Sequence, residues 1–159
     1  MTTSTSPPTA GALPVPWRDE SVMGFGMSVG GPAKVFRPQS VEEVAAAFGD
    51  VRRQGASLAL RGAGCSYGDA STNRNGHVLD LTGMNSILSF DPATGVAECE
   101  PGVTVRDLWK RSIAHGYWPR VVSGTMQVSM GGAAAMNIHG KNNYRLGAFG
   151  EGCLLYTSP

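Results

Sequence analysis

A run of small residues between Ser123 and Asn143 constrains the fold of this chain more than any other feature. It reads Ser-Gly-Thr-Met-Gln-Val-Ser-Met-Gly-Gly-Ala-Ala-Ala-Met-Asn-Ile-His-Gly-Lys-Asn-Asn. Glycine and alanine let a flat, bulky ligand lie directly against the backbone, and the hydroxyl and amide side chains can bind the ligand's polar edge. The run therefore predicts one wall of a cofactor site. The alternative is a tightly packed Gly/Ala helix entry that binds no ligand.

A second glycine-rich loop precedes this run. It reads Arg61-Gly-Ala-Gly-Cys-Ser-Tyr-Gly-Asp69. The glycine spacing differs from a Rossmann fingerprint and residues 71–76 do not open a helix, so NAD is disfavoured; Gly-Lys-Ser/Thr is absent, so the loop is not a P-loop. Glycines with positive φ can turn several N–H groups toward one anion, such as a pyrophosphate. The loop predicts such an anion nest, with a simple turn between strands as the alternative.

Composition narrows the class of partner. The 159 residues include 42% apolar residues, 13 basic and 12 acidic side chains, and three cysteines without a Cys-x-x-Cys pair. A net charge of +1 without a basic block argues against nucleic-acid binding, and no window approaches the ~18 apolar residues of a membrane span. The cysteine count favours a reducing cytoplasm over a disulfide framework, and no metal-ligand spacing is present. We expect a globular, cytoplasmic protein with a small-molecule partner and no metal.

Secondary-structure signals alternate along the chain and predict an α+β fold. A short strand at 33–36 is followed by a helix that opens at Ser40, with Glu43 completing a capping box, and ends near Gly55. A strand at 58–60 follows, and a strand-helix-strand unit favours parallel pairing. The predicted apolar stripe of the helix is Val41, Val44, Ala45 and Phe48.

The second half predicts a strand, a hairpin and another helix. The strand covers residues 78–81, and the hairpin joins 87–90 to 96–100 around Asp91-Pro-Ala-Thr-Gly95. A helix opens at Thr104 and stops at Gly116. Its predicted buried face is Val105, Leu108, Trp109 and Ile113.

Taken together, the two glycine motifs resemble the FAD-binding domain of the vanillyl-alcohol-oxidase (PCMH-type) flavoprotein superfamily. The loop 61–69 matches the family's first glycine loop. The run 123–142, followed by Gly147-Ala-Phe-Gly150, is most similar to the decaprenylphosphoryl-ribose 2′-oxidase branch. The resemblance implies a PCMH-type FAD-binding fold, with two small α/β subdomains and FAD between them. Flavin carries the hydride chemistry in such proteins, so the protein binds, orients and tunes it.

The resemblance also implies which residues bind FAD. On the pyrophosphate side they are Arg61, Gly62, Ala63, Gly64, Cys65, Ser66, Tyr67, Gly68 and Asp69, and on the flavin side Gly124, Thr125, Ser129, Met130, Gly131, Gly132, Met136, Asn137, Ile138 and His139. His139 and Lys141 are the candidates for contact with flavin or substrate, while the catalytic base is not identified. His77 and His115 lack such context and are interpreted as surface or packing residues.

Two departures from the family pattern bear on function. Many relatives attach FAD covalently through a histidine where this chain has Cys65, and some add a cysteine where it has Thr125. The resemblance therefore implies non-covalent FAD. Residues 1–31 are expected to form a flexible leader and irregular arm, 32–150 the FAD-binding domain, and 151–159 an atypical tail without a substrate-binding cap domain.

Three functions are compatible with this sequence. The first is an FAD-dependent oxidoreductase acting on a CH–OH group of a sugar or polyol, for which this chain supplies the flavin half. The second is a non-catalytic flavin-binding module or truncated fragment. The third is a glycine-rich domain for another nucleotide. The oligomeric state and the electron acceptor are not predicted.

Overall fold

A four-stranded sheet occupies the first half of the computed structural model, which describes residues 14–153. Its strands are β1 (Arg18–Met23), β2 (Gly30–Phe36), β3 (Leu58–Arg61) and β4 (His77–Asp80), in the spatial order β1-β2-β4-β3. β1 is antiparallel to β2, whereas β2 and β3 are both parallel to β4. The predicted parallel direction of strands 33–36 and 58–60 is confirmed, but β4 lies between them. All four residues of β4 are buried, as expected for a central strand.

The prediction of an irregular arm before residue 32 is wrong. Residues 18–23 form β1, and β2 begins at Gly30, so the predicted domain boundary at 31/32 cuts through a strand. The sequence of β1 is mostly polar, and only Val22 is buried, because an edge strand needs few apolar side chains. Residues 1–13 of the predicted leader and residues 154–159 of the predicted tail lie outside the described residues. Val15 packs against the core.

Helix α1 (Val41–Arg53) covers this sheet. The Ser40 hydroxyl accepts a hydrogen bond from the Glu43 N–H at 3.3 Å, as the capping box predicts, but the Glu43 carboxylate accepts from Gln39 N–H rather than from Ser40. The buried face is Val44, Ala47 and Val51, so the predicted stripe was wrong except for Val44. Val44 and Ala47 pack on Leu79 of β4, and the small Ala47 allows close approach of the helix.

His77 belongs to the packing of this layer. It is buried against the Trp17 ring, with ring centroids 4.6 Å apart, while Trp17 Nε1 donates to the Asp50 carboxylate at 2.8 Å. The Trp17 hydrogen bond lowers the pKa of Asp50. Of the two sequence interpretations of His77, surface or packing, the structure supports packing.

The second half of the chain builds a smaller layer around a two-stranded sheet. Strands β5 (Ile87–Phe90) and β6 (Ala97–Cys99) form the predicted antiparallel hairpin. Helices α2 (Val105–Ser112), α3 (Met130–Ala135) and α4 (Asn143–Leu146) follow. Val103, Val105 and Met130 form the core here. The prediction for Ile113 was wrong, because this side chain lies beyond α2 and is 45% exposed, while Ser112 is buried instead.

A complete capping box begins α2. The Thr104 hydroxyl accepts from Asp107 N–H at 3.2 Å, and the Asp107 carboxylate accepts from Thr104 N–H at 3.1 Å. The hydrogen bond with Thr104 lowers the pKa of Asp107. This cap fixes where the chain enters α2, immediately after the core residue Val103.

We predict that Thr104→Ala lowers the free energy of unfolding by about 1 kcal/mol at pH 7. Because the pKa of Asp107 is depressed in the folded state, its contribution is present above the unfolded-state pKa and is lost as pH falls through the folded-state value. The difference between variant and wild type should therefore shrink on acidification. Urea unfolding at several pH values measures it, and a difference that grows toward acid pH would contradict the assignment.

Candidate functional site

The two glycine-rich stretches meet at one point. The Ala63 N–H donates to the Ser129 hydroxyl oxygen at 3.2 Å, and Ser129 is almost fully buried. A Cβ on Gly62 would collide with that same hydroxyl, so glycine is required for this approach. Ser129 precedes α3, yet its side chain makes no cap hydrogen bond within that helix. Its hydroxyl binds the loop instead, which places residues 62–64 beside the start of α3.

The loop after β3 carries a series of unpaired backbone donors. Within residues 14–153, none of the N–H groups from Gly64 to Ala70 donates to a protein acceptor. Gly64 adopts a φ of +68°, whereas Gly62 and Gly68 do not use positive φ. Of these three glycines, only Gly64 has the positive φ that the predicted anion nest requires.

Several predicted loop residues serve the loop's own structure. Arg61 donates to the carbonyls of Met23 and Ser71, and the carbonyl of Asp69 accepts from Thr72 N–H. The Cys65 thiol donates to the Ala63 carbonyl at 3.8 Å. These contacts tie the loop to its surroundings through its carbonyl groups and the Arg61 side chain, while its N–H groups from Gly64 to Ala70 have no acceptor within residues 14–153.

The turn between β1 and β2 supports the same loop, which the sequence did not reveal. Phe25 N–H donates to the Ser66 carbonyl at 2.9 Å, and the Phe25 and Tyr67 rings meet edge to face with centroids 5.2 Å apart. Tyr67 is nevertheless 72% exposed. A Cβ on Gly24 would lie 2.7 Å from the Gly68 carbonyl oxygen, so glycine permits this contact. The signal was an aromatic residue flanked by Gly24 and Gly26.

The residues at the start of α3 divide into core and open positions. Met130 is buried, and a Cβ on Gly131 would lie 2.8 Å from the Pro101 Cβ, so both positions contribute to packing. A Cβ on Gly132 would meet only the Ser129 hydroxyl, at 3.1 Å. Of the two glycines, Gly132 is therefore the one with open space beside its backbone.

A groove of ≈740 Å³ brings Gly124, His139 and Lys141 together. Trp118 and Arg120, which the sequence analysis missed, also line it, and the Trp118 side chain is 60% exposed. No Asp or Glu is among the lining residues, so the charged groups here are basic. The sequence signal was the segment Trp-Pro-Arg shortly before the small-residue run.

The remaining predicted residues lie outside that groove. Asn137 has a left-handed φ of +43° and its side-chain oxygen accepts from Gly150 N–H at 2.8 Å, beside a cavity of ≈290 Å³. Thr125 accepts from Gln127 N–H, the Ile138 carbonyl accepts from Phe149 N–H, and Met136 is exposed. The structure assigns these residues local structural contacts.

Two other kinds of site, a metal centre and a membrane span, have no support in residues 14–153. In that part of the chain no cluster of three His, Cys, Asp or Glu side chains is arranged to hold a metal ion. No helix there has the length and apolar character needed to cross a membrane. Burial raises the pKa of the Cys99 thiol, which packs against the core of the smaller layer.

We predict that Gly62→Ala lowers the free energy of unfolding by about 1–3 kcal/mol, because its Cβ collides with Ser129. Gly68→Ala is the matched control, since a Cβ there meets nothing within 4 Å. Combining Gly62→Ala with Ser129→Ala should cost less than the sum of the single changes. Chemical unfolding measures all four proteins, and equal losses at Gly62 and Gly68 would remove this contact as the cause.

Comparison with known proteins places these motifs in a family. The chain is 35% identical over 137 residues to the decaprenylphosphoryl-beta-D-ribose oxidase of Mycolicibacterium smegmatis, covering 86% of this chain and 30% of the relative. The chain thus spans about a third of that relative's length.

Solved structures agree in fold. Cholesterol oxidase from B. sterolicum superimposes with a TM-score of 0.70 at 16% identity, covering 88% of this chain and 27% of that chain. The 6-hydroxy-D-nicotine oxidase of Arthrobacter nicotinovorans gives 0.64 at 28% identity, covering 75% and 26%. The expected α+β, PCMH-type fold is confirmed. The family model described as an FAD binding domain matches residues 32–157, and the chain belongs to this family.

Proposed function

We propose that this chain binds FAD with the loop 62–69 on the pyrophosphate side and with residues 124–139 on the flavin side, and that it supplies the flavin half of an oxidoreductase. The observation that carries the proposal is the series of N–H groups from Gly64 to Ala70, which have no protein acceptor within residues 14–153. Such donors suit the negative oxygens of a pyrophosphate.

The residues present fit FAD at the second stretch as well. A Cβ on Gly124 would meet no atom within 4 Å, and Gly132 is open on the side away from Ser129. Both positions allow a planar ring to approach the backbone. Because Ser129 joins the loop to the start of α3, the anion donors and this flat wall are held at a fixed separation.

Side chains in the groove act on the reacting parts of the flavin and the substrate. FAD, when bound, accepts the hydride removed from the substrate. Arg120 and Lys141 place positive charge in a groove without a carboxylate, which stabilises negative charge that develops there. His139 lines the same groove and is our candidate to hold the proton of a substrate hydroxyl. Lys141 is the alternative candidate.

One relative supports a proposal on the substrate class. The mycobacterial relative is named as an oxidase of a decaprenylphosphoryl ribose, so we propose a CH–OH group of a sugar or polyol-like small molecule. The alternative is a non-catalytic flavin-binding module, which the experiment below separates from an oxidoreductase. We propose a cytoplasmic location from the cysteine content.

The visible spectrum of the purified protein tests the proposal. We expect a yellow protein with flavin absorption that bleaches anaerobically when a sugar alcohol or aldose substrate is added. Bleaching by dithionite but by no alcohol in such a panel would favour the binding module. A colourless protein that also fails to take up added FAD would contradict both.

We predict that the bound FAD is non-covalent, because the positions used for attachment in many relatives hold Cys65 and Thr125. Acid precipitation should release the flavin into the supernatant. Colour that stays with the pellet in wild type and is lost in Cys65→Ala would show a thioether to Cys65 instead.

We further predict different effects for leucine at two adjacent glycines. Gly131→Leu should lower the apo-protein's free energy of unfolding by about 1–3 kcal/mol, because the side chain presses on Pro101. Gly132→Leu should leave a folded domain but abolish FAD binding, because its side chain projects into the open side. Melting temperature and FAD titration separate the two. A strongly destabilised Gly132→Leu apo-protein with unchanged FAD affinity would remove Gly132 from the cofactor wall.

A further inference from the structure

We propose that Arg61 is a positioning residue that holds the glycine loop in its anion-binding shape from within, without itself contacting the pyrophosphate. The inference rests on the proposed FAD function. It differs from the expectation that Arg61 binds the cofactor directly.

The guanidinium joins three parts of the backbone that are distant in sequence. Nη1 donates to the Ser71 carbonyl at 3.1 Å and to its hydroxyl at 3.2 Å, while Nη2 donates to the Met23 carbonyl at 3.1 Å. Ser71 is buried at the exit of the loop, and Met23 is the last residue of β1. Arg61, the last residue of β3, therefore connects the loop's entry to its exit and to the end of β1, the strand at the opposite edge of the sheet.

The loop curves closely around this side chain. A Cβ on Gly64 would lie 2.8 Å from the Arg61 Cζ, so the backbone of Gly64 rests directly against the guanidinium. Gly64 has a positive φ at this curve, and its N–H has no acceptor within residues 14–153. A planar fork with fixed donor directions can reach both sides at once, whereas a lysine ammonium offers one point of attachment.

The charge of Arg61 also suits this role. Within residues 14–153 Arg61 forms no ion pair with a carboxylate, and its hydrogen bonds go to carbonyl and hydroxyl oxygens. Its positive charge is thus not neutralised by a nearby anion. It adds to the attraction of the loop's N–H groups for a phosphate, while the guanidinium itself remains hydrogen-bonded to Ser71 and Met23.

Two backbone hydrogen bonds report whether the loop is closed. Phe25 N–H donates to the Ser66 carbonyl at 2.9 Å, and Thr72 N–H donates to the Asp69 carbonyl at 2.8 Å. Both depend on the loop keeping its curvature. Val78 and Leu79 in β4 serve as an internal reference for global stability, because they are completely buried in the sheet.

Amide hydrogen exchange of the flavin-free protein tests the clamp. In Arg61→Gln and Arg61→Lys we expect exchange at Phe25 and Thr72 to accelerate by at least about tenfold, with β4 unchanged. Arg74→Gln, which removes an exposed arginine nearby, is the matched control and should change neither. Unchanged exchange at Phe25 and Thr72, or equal acceleration in β4, would overturn the inference.

FAD affinity tests the connection to function. We expect both Arg61 variants to bind FAD at least about tenfold more weakly than wild type and Arg74→Gln. If Arg61→Lys restores affinity while its loop still exchanges rapidly, charge rather than clamping matters and the inference fails. Loosened amides with unchanged FAD affinity also overturn it. A wild type that binds no FAD refutes the proposed function, while the exchange data still decide whether Arg61 clamps the loop.

Discussion

The approach of Gly62 and Ala63 to Ser129 is the contact on which the candidate site depends. One hydrogen bond, 3.2 Å from the Ala63 nitrogen to the Ser129 oxygen, joins the loop after β3 to the residue that precedes α3. The four-stranded sheet positions the first partner, and the core around Val103 positions the second. Since Ser129 is buried, its hydroxyl has little alternative to this donor, which fixes the separation of the two layers at that point.

The physical reason for a glycine differs among the positions of the two motifs. Gly62 leaves room for the Ser129 hydroxyl, and Gly64 takes a positive φ against the Arg61 guanidinium. Gly131 leaves room for Pro101, whereas Gly132 faces open space apart from Ser129. A sequence motif presents these residues as equivalent, but only positions open to solvent are available to a ligand. Fewer positions of the predicted wall therefore have open space beside them than the sequence motif suggests.

Local signals predicted β2, β3, β4, the hairpin and the starts of α1 and α2, because caps and turns depend on a few neighbouring residues. The same signals failed where tertiary contacts determine which residues are buried or paired. α1 offers two adjacent apolar stripes, and the sheet selects Ala47 and Val51 since small side chains let the helix approach Leu79. β1 carries charged side chains that suit an exposed edge, so its sequence lacks the alternation of apolar and polar residues that marks a strand. Phe25 meets Tyr67 across more than forty positions, which no local pattern indicates.

Charge distribution links the loop to the groove. The chain's formal net charge of +1 indicates no anionic ligand, yet the basic side chains Arg120, His139 and Lys141 line one groove that contains no carboxylate. N–H groups without a protein acceptor in residues 14–153 and the unneutralised Arg61 give the loop a positive character as well. Interactions between exposed charges are screened beyond about 8 Å at physiological salt, so the local arrangement of charges matters more than the net charge of the chain. A ligand with negative charge near one end and an electron-accepting ring at the other matches both places, whereas a neutral planar ligand would leave the loop's donors to water.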